Sequence, residues 1–197
     1  MNLTTAQLEA LQELIHAAID RAARALEHLI NLDVYVETST IQALMPLDIS
    51  HELGLQFGRV QLSIVSVNFS GPLNGTAYFI LPLEATAYLL SIINREQICA
   101  EGLNLWRIST FLEIASILIN HILETVIDQI HQPLQAEMPI YRQTSVESVL
   151  PLTDLVGNSM ALLAQTQLEV KSLPFVGNLL LVFRVGTFNT FLSKTPI

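Results

Sequence analysis

The stretch SGPLNGTAYFIL, residues 70–81, decides how this chain is read. Its first six residues hold Gly, Pro and an Asn-Gly pair, which is the chemistry of a tight turn. The six that follow are β-branched, aromatic and aliphatic, and predict a strand. A matching run, GNLLLVF, occupies residues 177–183, so that Gly75 and Gly177 stand 102 positions apart. Leu90-Ser91 and Leu192-Ser193 share that offset, while Glu13 and Glu113, each on a long helical segment, are 100 apart. Agreement in both element order and spacing is much harder to obtain by chance than either alone. The chain is therefore expected to be a single α+β domain over residues 1–197, internally duplicated as two pseudo-repeats of about 1–100 and 101–197. Two such halves pack most simply about a pseudo-twofold axis, with an antiparallel β-sheet core covered by long α-helices.

Working outward from the turn, Thr4 and Gln7 form a capping box ahead of an apolar-periodic helix that runs to about Ile30. Leu8, Leu11, Ile15, Ala18, Ala22, Leu26 and Leu29 fall on one of its faces. Residues 33–45 are rich in β-branched side chains and predict a strand, and residues 57–69 a second. In the second, the apolar phase switches near Ile64 and Val65, which suggests a bulge. Residues 83–94 read as a short amphipathic helix and 95–106 as a more polar connection holding the lone Trp. The pattern then returns: a long helix over about 107–131, extended segments near 136–149, and an alternating strand over 159–171. That strand sets Met160, Leu162, Ala164, Thr166, Leu168 and Val170 on one side. Gly177 opens the last strand, and a short helix closes the chain.

Hydrophobic residues make up 51% of the chain and charged ones 14%, which leaves ample material for a core and no signature of disorder. So apolar a composition fits helices buried on most of their surface, or an apolar patch reserved for a partner, and it is compatible with a homo-oligomer. The net charge of −9, without a Lys/Arg cluster, argues against nucleic-acid binding, which needs a positive face to replace phosphate counterions. Cys99 is the lone cysteine, so no intrachain disulfide forms and a reducing, cytoplasmic setting is expected. The five histidines show no paired metal-ligand spacing. The opening residues are polar and lead directly into a charged helix, unlike a signal peptide. Residues 107–131 are apolar enough to raise the question of a membrane span. Glu113, Asn120, Glu124 and Asp128 interrupt them, and such groups are costly in hydrocarbon, so a core helix and no membrane are expected.

Each long helix carries a polar stripe. On the first, Glu9, Glu13, His16 and Asp20 lie within about 60° of arc, opposite the apolar face. On the second, Ser109, Glu113, Ser116, Asn120 and Glu124 lie within about 80°. A solvated outer face explains such stripes by itself; their narrowness on such apolar helices is the informative part.

These residues resemble the chemotaxis phosphatases of the CheC/CheX/FliY group, whose active helices carry Ser or Asp, three residues, Glu, two residues, then Asn. EALQELIH at 9–16 looks like that motif, with Glu9 leading, Glu13 as the Glu and His16 where Asn is expected. RAARAL at 21–26 is similar to the small-residue stretch that follows. STFLEIASIL at 109–118 looks like the second copy, with Ser109 leading, Glu113 as the Glu and Ser116 at the Asn position. The glycine-led hairpin and strand at Gly71, Gly75 and Gly177 resemble the group's two halves, so the likeness covers almost the whole chain in the right order.

The resemblance implies a CheC-like domain that removes phosphate from the aspartyl phosphate of a CheY-like response regulator. The regulator supplies the phosphorylated Asp, the Mg²⁺ and a Lys, and no cofactor belongs to this chain. The phosphatase's Glu pairs with that Lys, and its Asn amide positions the attacking water. An acyl phosphate is already activated, so holding water in line is most of what is required. Here the sequence departs from the group, because neither copy keeps Asn. Ser is too short to span the same distance, whereas a neutral imidazole has roughly the reach of the amide, with one donor and one acceptor. The first helix, with Glu13 and His16, is thus the expected site, flanked by Glu9 and Asp20. The second, with Glu113, Ser116, Ser109 and Asn120, is expected to be weaker or silent. The competing expectation is a silent CheC-like module that binds a response regulator or a CheD-type deamidase through its two Glu residues. A structural role like that of the flagellar-switch relatives is a third, for which no extra motor-binding segment speaks.

Overall fold

The structure is a computed structural model and describes residues 5–95, 103–149, 159–170 and 173–184. Its elements run α1 (Thr5–Ile30), β1 (Val34–Leu44), α2 (Pro46–Phe57), β2 (Gln61–Ser70), β3 (Gly75–Pro82) and α3 (Leu83–Asn94). Then come α4 (Leu105–Ile130), β4 (Gln135–Ala136), β5 (Ile140–Ser145), a 3-10 turn at Val146–Ser148, β6 (Ser159–Val170) and β7 (Leu173–Arg184). The strands form one antiparallel sheet in the order β1-β6-β7-β3-β2-β4, with β5 also paired to β2. This is the expected α+β architecture.

The hairpins β2–β3 and β6–β7 lie side by side and meet along β3 and β7. In that register Tyr78 faces Leu180, and these are the residues that the 102-position offset makes equivalent. A twofold axis between two antiparallel strands requires each residue on the axis to face its own copy. The outer strands obey the same rule, since β1 crosses to pair with β6 while β5 pairs with β2. The two glycines of the repeat both sit on this seam. A Cβ on Gly75 would strike the Val182 carbonyl oxygen, and one on Gly177 would lie 2.8 Å from the Ile80 carbonyl oxygen. Glycine is there so that the two backbones can close.

One face of the sheet is covered by α1, α3 and α4, which enclose the larger core. It takes in Val65, Val67 and Phe69 of β2 and Leu179, Leu181 and Phe183 of β7. The opposite face carries a smaller core, where α2 and the 3-10 turn cover Leu62, Ile64, Tyr78, Ile80, Leu180 and Val182. This explains the phase switch in β2 without a bulge. Pairing with β3 is continuous from Leu62 to Phe69, and the strand buries one face early and the other throughout. The bulge lies instead in β1, between Thr38 and Thr40, where it carries the inward phase from Val36 to Ile41.

Other expectations shift at the margins. Phe57 ends α2 rather than opening β2, and Trp106 sits in the first turn of α4 rather than in a connection. Gly177 lies inside β7, which begins at Leu173. Leu29 is 46% exposed, although Ile15, Ala18, Ala22 and Leu26 are buried as the periodicity requires. Thr4, Leu192-Ser193 and the short closing helix fall outside the described residues. By length and composition α4 could cross a membrane, with mean hydropathy 1.5 over Leu105–Asp128. It packs instead as a core helix, burying Phe111, Ile114, Leu118, Ile119 and Ile122.

Candidate functional site

Helices α1 and α4 pack against each other over the sheet and turn their polar stripes outward. Glu9, Glu13, His16 and Asp20 are all exposed on α1. Among the described residues none of the four is held by a hydrogen bond or ion pair within the chain. The apolar positions beneath them, Leu14, Ile15, Ala18 and Ile19, are locked in the core, so the backbone carrying the stripe is anchored while its polar tips are not.

The second stripe differs. Ser109, Glu113, Asn120 and Glu124 are exposed and Ser116 is half-buried. Ser109 Oγ donates to the Leu105 carbonyl at 3.0 Å, and Ser116 Oγ to the Leu112 carbonyl. Such bonds to the carbonyl four residues back fold a short hydroxyl onto its own helix. Ser116, which occupies the place of the expected amide, therefore directs its donor at its own backbone. Glu113 remains free to contact a partner, but nothing beside it reaches outward at the required position.

Contacts that the spacing did not reveal tie the helices together and frame the stripes. Arg21 Nη1 on α1 meets Asp128 Oδ2 on α4 at 3.0 Å, and His121 Nδ1 lies 3.0 Å from Glu124 Oε2 on its own helix. Asn104 caps α4 by accepting from the Arg107 N–H at 2.9 Å. Leu105 and Trp106, 84% and 69% exposed, stand on the same side of α4 as Glu113 by helical phase. The sequence carries that signal, because 105, 109, 116 and 120 share one stripe, but the polar run over 95–106 reads as a connection and hides it. Among the described residues no group of three or more His, Cys, Asp or Glu is placed to hold a metal ion.

The sequence matches no protein-family model and no curated protein. Solved structures do match. FliY of Thermotoga maritima superposes with a TM-score of 0.78 at 14% identity, over all of both chains. A chain of the FliG–FliM complex of H. pylori gives 0.68 at 10% identity, covering 97% of this chain and 100% of that one. A chain of the CheX–CheY–BeF3–Mg²⁺ complex of Borrelia burgdorferi gives 0.53 at 14% identity, covering 85% and 96%. At such identities the likeness is one of architecture, and the fold of this chain is that of the CheC, CheX and FliY group.

Proposed function

We propose that this chain hydrolyses the aspartyl phosphate of a CheY-like response regulator, with α1 as the working helix. The observation that carries the reading is an acid and an imidazole, Glu13 and His16, exposed three residues apart and unpartnered among the described residues. Residues at that spacing have Cβ atoms roughly 5–6 Å apart, so both side chains reach a single pocket on a partner. The fold supports the reading too, since a fold neighbour, CheX, is recorded in complex with CheY, BeF3 and Mg²⁺.

In the proposed complex the regulator contributes the phosphorylated Asp, its Mg²⁺ and a Lys. Glu13 pairs with that Lys and sets the register of docking, while Glu9 and Asp20 contact the rim. His16 holds a water in line with the acyl–phosphate bond and accepts its proton as the oxygen attacks phosphorus. The P–O bond to the aspartyl group breaks, its electron pair stays on the carboxylate, and inorganic phosphate leaves. A positioned general base contributes about 10²–10⁴ in rate, so His can serve where the group uses Asn. On α4, Glu113 acts as a docking group together with Ser109 and Asn120, and Ser116 takes no part in catalysis.

A second reading has its own observation. Neither position 16 nor 116 is Asn, and the Ser116 hydroxyl is engaged within its helix. On that reading the chain docks a response regulator, or a CheD-type deamidase, without turnover. Phosphate release from a phosphorylated regulator at saturating protein separates the two. Release faster than the regulator's own decay is expected. Unchanged decay with a measurable complex selects the docking module, and no complex with any regulator or with a CheD-type deamidase removes both.

A further inference from the structure

On the sheet face away from α1 and α4, a row of polar side chains crosses three strands. Thr40 of β1 pairs in register with Gln165 of β6, and Gln165 with Asn178 of β7. Thr40 Oγ1 donates to Gln165 Oε1 at 3.4 Å. Asn178 is fully buried, and its Nδ2 donates to Gln56 Oε1 of α2 at 2.7 Å. That bond uses half of each amide. Among the described residues, buried Asn178 Oδ1 and Gln56 Nε2 find no hydrogen-bond partner. Exchanging O and N in both groups leaves the same remainder, one donor and one acceptor. An unpaired buried amide group destabilises the fold, and an apolar residue at 178 would avoid that cost.

Gln56 is the movable member of the pair. It sits in the last turn of α2, half-buried, and it walls two adjoining hollows. One is a cleft of about 250 Å³ over Asn178, lined also by Glu52 and Leu55. The other, about 600 Å³, is lined by Phe57, Tyr88 and Val176. Asn178 and Val176 share a strand face two residues apart, roughly 6.8 Å, which is the span of a small ring bearing an amide. Among the described residues the charged side chains lining the hollows are Glu52 and Glu84, so an anion is repelled from both.

We propose that this cleft binds a small neutral carboxamide, which displaces the Gln56 side chain from Asn178 and lays its apolar part toward Tyr88 and Val176. A free carboxamide can present donor and acceptor to Asn178 together, where Gln56 presents one. Gln56 is then a built-in stopper, and the site lies on the opposite face of the sheet from the α1 stripe and stands independently of the phosphatase reading.

Titrating benzamide into ¹⁵N-labelled protein, while following the Asn178 side-chain amide, tests the proposal. A saturable shift is expected in the native protein, with none from benzoate. Gln56→Ala removes the competitor and should tighten binding roughly two- to tenfold, the worth of one hydrogen bond. Asn178→Leu should weaken it roughly tenfold or more, with the β6–β7 backbone resonances retained. Absence of a saturable benzamide shift in both the native protein and Gln56→Ala overturns the proposal, as does an equal response to benzoate. Should Asn178→Leu not fold, the Gln56→Ala and benzoate arms still decide.

Discussion

Helices α1 and α4 are built to one plan and finished differently. Each has 26 residues, and each ends at a left-handed residue, Asn31 at φ 51° and His131 at φ 53°. The N–H of each bonds back to the carbonyl four residues earlier at 2.9 Å. Their buried positions coincide at a spacing of 100: Leu14, Ile15, Ala18, Ile19, Ala22 and Leu26 against Ile114, Ala115, Leu118, Ile119, Ile122 and Val126. The volumes do not coincide. Where α4 carries Leu118 and Ile122, α1 carries Ala18 and Ala22; α4 also buries Leu123, whose counterpart Ala23 is half-buried, and the ring of Phe111. That ring lies 5.8 Å from Phe79 and 6.2 Å from Tyr141. The difference teaches a division of labour. Helix α4 fills the core and has turned its outer serines back on itself, whereas α1 lies on that core with small residues and keeps its acid and imidazole free.

The largest effect should come from emptying the core under α4. Phe111→Ala removes a fully buried ring that touches two others and should destabilise the domain by about 3–5 kcal/mol. For a chain of this length each kcal/mol lowers the melting temperature by roughly 2–4 °C. Calorimetry that finds a loss below about 1 kcal/mol would mean that α4 is not the spine of the fold.

Next in size is the difference between the two glutamates. Glu13→Ala should lower the protein's acceleration of phosphate release by about 10²–10³, the range seen when one preorganised charged or polar group is lost. Glu113→Ala should stay within about twofold, because its neighbour at 116 offers nothing outward. Equal losses would break the division of labour. A repair sharpens it: Ser116→Asn in the Glu13→Ala background replaces a self-bonded hydroxyl with an amide long enough to project, and should restore about tenfold of the lost rate. In the first helix, His16→Asn supplies the group's own residue and should hold or raise the native rate. If it abolishes an existing activity, the imidazole does chemistry that an amide cannot.

What the sequence disclosed follows from the range of its signals. The hairpin at 70–82 and the long helices were legible because turn residues and apolar periodicity are local. The 102-position offset was legible because it needs only comparison along the chain. Helix α2 was not foreseen. Among its described side chains it buries only Ile49 and Leu53 fully, while Leu47 and Leu55, each 70% exposed, blur its periodicity. The apparent bulge in β2 came from assuming one covered face, when α2 covers the other. At the site, spacing alone placed Glu13 and His16 on one exposed stripe. It could not show Ser116 bonded to Leu112, since rotamer choice leaves no trace in composition. Nor could it show Asn178 meeting Gln56, a contact between residues 122 positions apart.

The smallest test concerns the ion pair that joins the two helices among the described residues. Arg21 and Asp128 are 46% and 66% exposed at their side chains, so solvent screens most of their attraction and the pair should contribute about 0.2–1 kcal/mol. Across the repeat the equivalent position behaves differently: His121, one hundred positions after Arg21, turns to Glu124 on its own helix at 3.0 Å. The tie is therefore one-sided, and it joins α1 to α4 beyond the stripe that presents Glu13 and His16. Arg21→Ala should lose that small increment at low ionic strength and almost none at 1 M salt, where the screening length is about 3 Å. Adding Asp128→Ala should cost nothing more, since the partner is already gone. A larger loss that ignores salt would mean that the arginine stem packs against α4 and that its charge is incidental. In that case the two helices are held together by apolar contact alone, and the freedom of the α1 stripe owes nothing to electrostatics.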